Sequence, residues 1–246
     1  MSPEKIIFSV ANRPWARSRE YQRFWGTYVR CPVSGLYFAE NSDPSSIESV
    51  NQAFSRLPQQ LQSLARQWQV TFSFTSGRTA AGNSATFYAD FSQRDRHLVS
   101  PHIELSLSSL SPPIIVAHLC HELSHLYWRT SPRQAQQSYR DFLQTNSDSL
   151  LVEVTPYAQR LFQEYLKEEE LRRNRPPELD PPWLKEQDPY HLKSWTEESF
   201  CETVAVLACP DHPDFQVGAA EELETRRGMI ACLMGLHIDS ASPVGC

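Results

Sequence analysis

The sequence predicts an α+β fold in which a small, mostly antiparallel sheet packs against one helix and the C-terminal part is helical. Alternating apolar residues indicate strands at 70–74, 85–91 and 102–110. A broadly apolar run at 112–128 indicates a buried helix, and apolar residues three and four apart return throughout the second half. At this length we expect one large domain over 1–246.

The predicted domain has four consecutive parts, which differ in composition and periodicity. They are an aromatic-rich N-terminal segment (1–44), a helix, sheet and central helix (45–130), a helical insertion with a proline-rich loop (131–195), and a last helical part (196–246). The second part opens with an amphipathic pattern over 45–69, in which Pro58 predicts a bend.

Most of the chain after the central helix has helical periodicity. Helices are predicted at 131–144 and 150–174, then at 196–210, where Pro210 stops the pattern, and at 219–238. The proline-rich stretch at 175–190 cannot continue a helix, and we predict a long loop or a lid there.

Composition narrows the class of protein. A net charge of −6 argues against a nucleic-acid surface, which would be basic. Six cysteines without a Cys-x-x-Cys pair are typical of reduced thiols rather than of a disulfide framework. The N-terminal residues do not have the pattern of a signal peptide, and no stretch has the length of a membrane span. We therefore expect a cytoplasmic protein that does not act at a membrane.

The central helix carries the sequence His-Glu-x-x-His at His121, Glu122 and His125. Positions four apart lie one turn above each other, so both imidazoles can reach one point. Zinc accepts imidazole nitrogens at about 2.0–2.1 Å and lowers the pKa of a bound water to about 7. Glu122 stands where its carboxylate can take a proton from that water. The motif predicts Zn²⁺ as cofactor, His121 and His125 as ligands and Glu122 as the general base.

This helix resembles the active-site helix of the zinc metallopeptidases called zincins. The resemblance implies a zincin-like fold, with a sheet beside the helix and a third ligand later in the chain. It also implies hydrolysis of peptide bonds in a protein or peptide, whose backbone adds as an extra strand at a sheet edge. The sequence leaves open whether 85–91 or 102–110 is that edge.

A second likeness lies in the helix predicted at 196–210. Its pattern Glu-x-x-x-Glu-x-x-Ala, from Glu198 through Glu202 to Ala205, resembles that of the gluzincins, where a glutamate completes a two-histidine zinc site. The resemblance implies Glu202 as the third ligand, with Glu198 accepting a hydrogen bond from a ligand imidazole and fixing its tautomer. Two alternatives stay open: the two glutamates exchange roles, or His191 takes the third position.

Tyr190 and His191, just before this helix, are candidates for stabilising the oxyanion of the tetrahedral intermediate. Gluzincins often use a tyrosine or a histidine from this neighbourhood, so the resemblance implies a catalytic role for them. His118, one turn before His121, is expected to make a polar contact at the edge of the site.

These observations predict a zinc-dependent metallopeptidase, and two other functions stay open. A zincin-like regulatory protein would keep the metal and bind a partner with little turnover, although it would not need Glu122. A structural helical protein would hold no metal. Metal analysis separates the last from the other two, and a Glu122→Gln variant separates an enzyme from a binding protein.

Overall fold

The computed structural model of the chain describes residues 5–8, 26–79, 81–88, 101–146, 155–174, 190–209 and 220–235. The chain divides into two compact units, which we call unit 1 (Met1–Arg129, with Cys246) and unit 2 (Thr130–Gly245). The division falls at the end of the helix that carries His-Glu-x-x-His. Residues 1–4 and 9–25 of the predicted 1–44 segment, and all of the predicted 175–190 loop except residue 190, lie outside the described residues. That the units form a single domain stays a prediction.

The described part of unit 1 contains six strands and three α-helices. They are β1 (Lys5–Phe8), β2 (Gly26–Arg30), β3 (Tyr37–Ala39), α1 (Pro44–Phe54), α2 (Gln59–Gln67), β4 (Thr71–Thr75), β5 (Ala85–Tyr88), β6 (His102–Ser106) and α3 (Pro112–Thr130). The described part of unit 2 is helical, with α4 (Arg133–Asn146), α5 (Pro156–Asn174), α6 (Tyr190–Ala208) and α7 (Ala220–Met234). The predicted α+β class is therefore confirmed.

The six strands form one sheet in the order β1-β2-β3-β4-β6-β5. The pairs β1–β2, β2–β3 and β5–β6 are antiparallel, whereas β3–β4 and β4–β6 are parallel. The sheet is thus mixed, and the mostly antiparallel arrangement expected from the sequence does not hold at its centre. The physical reason is that α1 and α2 connect β3 to β4 and supply the long crossover that parallel neighbours require.

The helical pattern over 45–69 forms two helices instead of one bent helix. Asp43 begins the first, because its carboxylate accepts a hydrogen bond at 3.0 Å from the backbone N–H of Ser46. Pro58 caps the second helix and lacks the N–H that a continuous helix would need there. The bend predicted at Pro58 is therefore a break.

One face of the sheet is apolar. The register places Phe72 and Phe87 on either side of Ile103, and all three are buried. The ring of Phe87 also stacks on that of His125, with centroids 6.2 Å apart. This contact brings α3 against the apolar face, where burial of aromatic and aliphatic side chains stabilises the packing.

The other face of the sheet carries a buried polar row. His102, only 1% exposed, has Nδ1 2.9 Å from the hydroxyl of Thr71 and Nε2 2.9 Å from that of Ser73. Glu104 is 2% exposed and accepts a hydrogen bond at 3.3 Å from the hydroxyl of Tyr88. These partners offset the cost of removing polar groups from water.

The strand predicted at 102–110 ends early. The hydroxyl of Ser106 accepts a hydrogen bond at 3.3 Å from the backbone N–H of Ser108 and opens a 3₁₀ turn at Leu107–Ser109. A serine hydroxyl that captures a nearby N–H competes with the strand ladder, which explains the early end.

In unit 2 the aromatic core lies around α6. Trp195 contacts the rings of Phe162 and Tyr165 on α5, at centroid distances of 4.7 Å and 5.1 Å. Phe200 receives the ring of Tyr139 on α4 edge to face at 5.4 Å. Helix α6 therefore packs against both α4 and α5.

None of the described helices is both long and apolar enough to cross a membrane. The cysteines in the described part are free thiols: Cys31, Cys120, Cys201, Cys209 and Cys232.

Candidate metal centre

Helix α3 is a buried helix with one polar stripe. Two prolines stand at its start, where a missing N–H costs nothing. Leu119, Leu123 and Leu126 are fully buried. The helical period then puts His121 and His125 one above the other, away from these leucines.

The two imidazoles already point at each other. Their Nε2 atoms lie 3.2 Å apart, and the rings meet at 79° with centroids 4.9 Å apart. Two nitrogens bound to one tetrahedral zinc at the usual bond length would be separated by about 3.3 Å. A carboxylate oxygen of Glu122 lies within 4.8 Å of the ligand atoms of both histidines. His121, Glu122 and His125 therefore fit a metal ion, and they are the cluster of this kind that the described residues contain.

The surroundings keep His121 neutral, as a metal ligand must be. Burial holds its pKa well below the ordinary value, and the positive charges that His125 and His118 would carry lower it further. A neutral imidazole offers a lone pair to a metal without first losing a proton.

This lowered pKa predicts a pH-dependent stability of the metal-free protein. Below about pH 6.5 the unfolded chain takes up a proton at His121 and the folded chain does not, so the free energy of unfolding should fall as the pH falls. One such proton contributes a slope of at most about 1.4 kcal/mol per pH unit. Denaturant unfolding between pH 7.5 and 5.5 measures it. An equal slope in His121→Asn would contradict this origin.

A ring stack supports the second histidine. Phe87 of β5 lies nearly parallel to the His125 ring, with an interplanar angle of 9°. The guanidinium carbon of Arg129, one turn after His125, lies 5.5 Å from the centroid of the Phe87 ring. Sequence reasoning missed Phe87 as part of the site. The alternation of 85–91 indicates that Phe87 is buried, but not that a histidine is its neighbour.

Glu202 lies on α6 in unit 2 and is 3% exposed. Its Oε1 accepts a hydrogen bond from the hydroxyl of Thr155. The Thr155 hydroxyl also accepts the backbone N–H of Ala158 at 3.3 Å, at the start of α5. The hydrogen bond from Thr155 orients the Glu202 carboxylate, and carboxylates that ligate metals are also oriented by hydrogen bonds. Thr155 was not singled out from the sequence, although a threonine before Pro156 is a helix-start signal.

The remaining candidates also belong to α6. Glu198 is half-buried. The helix begins at Tyr190 rather than at 196, directly after Pro189, a residue suited to a helix start. His191 is held by α5: its backbone N–H donates to Glu168 at 3.0 Å, and its Nδ1 lies 3.4 Å from a carboxylate oxygen of Glu164.

The structure thus brings His121, Glu122 and His125 together, and it places the other predicted site residues on one helix of unit 2. The roles of Glu202, Glu198, Tyr190 and His191 stay predictions. No model of a known protein family matches the chain. No curated protein is detectably similar to it.

Proposed function

We propose that this protein is a zinc-dependent metallopeptidase. The observation that carries the proposal is the 3.2 Å separation of two Nε2 atoms, with the carboxylate of the intervening glutamate beside them. In this proposal His121 and His125 hold the zinc, and Glu202 is the third ligand. A bound zinc ion supplies a Lewis acid that polarises a carbonyl and lowers the pKa of water.

Glu122 has the properties of a general base. Its side chain is 6% exposed, so the carboxylate lies in a site with little competing water. Glu122 directly follows His121 on the helix, about 100° further round the axis, so its carboxylate can lie near the ligand atoms without binding the metal itself. In this proposal its carboxylate takes a proton from the attacking water. It then gives this proton to the leaving amine.

The edge of the sheet supplies a place for an extended substrate. Among the described strands β5 has a neighbour on one side only, whereas β6 lies between β4 and β5. The outward N–H and C=O groups of an edge strand can pair with a peptide. The proposal therefore assigns β5, and not β6, as the strand that binds substrate, since its Phe87 already contacts His125.

The third ligand can be identified by comparing two glutamates on one helix. Glu202→Gln should weaken zinc binding by more than about 100-fold, because it removes a ligand charge. Glu198→Gln should weaken it by about 10- to 100-fold, as loss of an orienting partner does. Competition with a chromogenic chelator measures both affinities. The opposite ranking would transfer the ligand role to Glu198, and unchanged affinity in both variants would refute a glutamate ligand on α6.

Cleavage of an unstructured protein tests the function directly. Purified protein loaded with zinc should generate new N-termini from casein, as seen by mass spectrometry. Removal of the metal with 1,10-phenanthroline should stop the cleavage, and added Zn²⁺ should restore it. Cleavage that survives complete metal removal would refute the proposal.

A further inference from the structure

Unit 1 contains a cavity that takes no part in the proposed peptidase site. Its volume is about 630 Å³, within the range of small-molecule sites. It opens at the ends of β3 and β4, beside the start of α1, and Glu104 and Ser73 line it from the polar face of the sheet. Helix α3 packs on the opposite face through Phe87. Crevices at the carboxyl ends of parallel strands are common binding sites.

The cavity has a buried carboxylate among its lining groups. Glu104 is 2% exposed and is held by the hydroxyl of Tyr88 at 3.3 Å. Burial, followed by the negative charge of Glu104, raises the pKa of both Tyr28 and Tyr88 well above the ordinary value. Both phenols therefore keep their protons and can donate hydrogen bonds.

The other polar groups that line the cavity are acidic or neutral. Glu40 and Asp43 add two carboxylates, and the described residues that line the cavity include no lysine, arginine or histidine. Neutral hydroxyls come from Thr27, Ser73 and Thr75. The side chains of Ala39 and Leu107 provide apolar wall. Such a lining favours a ligand with positive charge and an aliphatic body.

The carboxylates are too widely spread for a metal ion. Among the described residues, the group of three or more possible ligands whose ligand atoms all lie within 4.8 Å of one another is His121, Glu122 and His125, and it does not include Glu40, Asp43 or Glu104. A cation that pairs with carboxylates lying apart from one another must carry its positive charges on atoms that also lie apart. An organic amine with more than one protonated nitrogen meets this condition.

We propose that the cavity between β2, β3, β4 and β6 binds a small aliphatic amine with two or more protonated nitrogens. One ammonium group donates to Glu104 within the cavity and a second lies near the exposed carboxylate of Glu40. The methylene chain between them lies along Ala39 and Leu107. The phenol ring of Tyr28 adds a face to which an ammonium group is attracted.

Calorimetric titration with 1,5-diaminopentane tests the proposal, and 1,5-pentanediol serves as the neutral probe of the same length. The diamine should bind saturably to one site, and the diol should bind at least about tenfold more weakly. Glu104→Gln should weaken diamine binding by about 10- to 100-fold, since it removes the buried charge and keeps the shape. Spermidine should bind more tightly than the diamine, because it carries one more charge.

A matched variant separates the site from general attraction to an acidic protein. Glu48 is exposed on α1 outside the cavity lining, so Glu48→Gln removes the same charge and should leave the affinity unchanged. If Glu104→Gln fails to fold, Glu40→Gln takes its place and should weaken binding by about two- to fivefold, since Glu40 is exposed. The proposal is overturned if the diol binds as tightly as the diamine, if a folded cavity variant and Glu48→Gln behave alike, or if no saturable binding occurs. Peptidase activity and zinc content do not enter this test.

Discussion

Replacing Glu122 by glutamine should abolish peptidase activity and leave the zinc content unchanged. Glutamine keeps the shape of the side chain but cannot take a proton, and loss of a positioned general base lowers rates by about 10²- to 10⁴-fold. His121 and His125 lie one turn apart on α3, and this spacing, which does not depend on the Glu122 carboxylate, brings both imidazoles to one point. The measurement is kcat/KM on a casein-derived fluorogenic substrate.

Two controls make the Glu122→Gln result specific. Glu48→Gln removes an exposed carboxylate of the same unit and should retain full activity. Zinc content by mass spectrometry should stay at that of the parent protein. A Glu122→Gln protein that keeps its metal and cleaves casein at the parent rate would show that the base lies elsewhere. A parent protein with bound zinc but no turnover would favour the regulatory alternative.

Replacing His125 by alanine should remove the metal. His125 is 7% exposed and provides one of the two nitrogens that face each other, so its loss leaves His121 as the one imidazole of this pair. Zinc content should fall from about one ion per chain to near zero, because zinc sites in proteins hold three or four protein ligands. The stabilisation that zinc gives the parent protein in a thermal melt should be lost as well, since binding to the folded state alone raises its stability.

His118→Ala is the control for this variant. His118 lies on the same helix, one turn before His121, and it lowers the pKa of that residue through its charge. It does not belong to the cluster around His125. Zinc content in His118→Ala should therefore match that of the parent protein. If His118→Ala loses zinc and His125→Ala keeps it, the metal site proposed on α3 is wrong.

The part of the site that the sequence predicts is the part confined to one helix. His121, Glu122 and His125 are separated by three and four positions, and the helical period alone fixes their spacing. The α+β class follows in the same way, because apolar periodicity reports the type of each element. Buried residues on the strands, such as Phe72 and Ile103, follow from the same alternation.

What depends on contacts between elements could not be predicted. Periodicity marks β4 as a strand but does not reveal that it runs parallel to its neighbours β3 and β6. The stacking of Phe87 on His125 and the hydrogen bond from Thr155 to Glu202 join residues far apart in sequence. The predicted start of α6 at 196 was also wrong, but for a local reason. Pro189 allowed a helix start, but the proline-rich composition around it favoured a loop.

Phe87 belongs to an edge strand and also touches an imidazole that we assign to zinc. A chain that adds to β5 and the ion on α3 would thus share one aromatic ring as a common neighbour. Coupling between two binding sites is reciprocal. If bound zinc changes the affinity for the peptide by some factor, the bound peptide changes the affinity for zinc by the same factor. Binding of a peptide to β5 would therefore be detectable as a change in zinc affinity, before any peptide bond is cut.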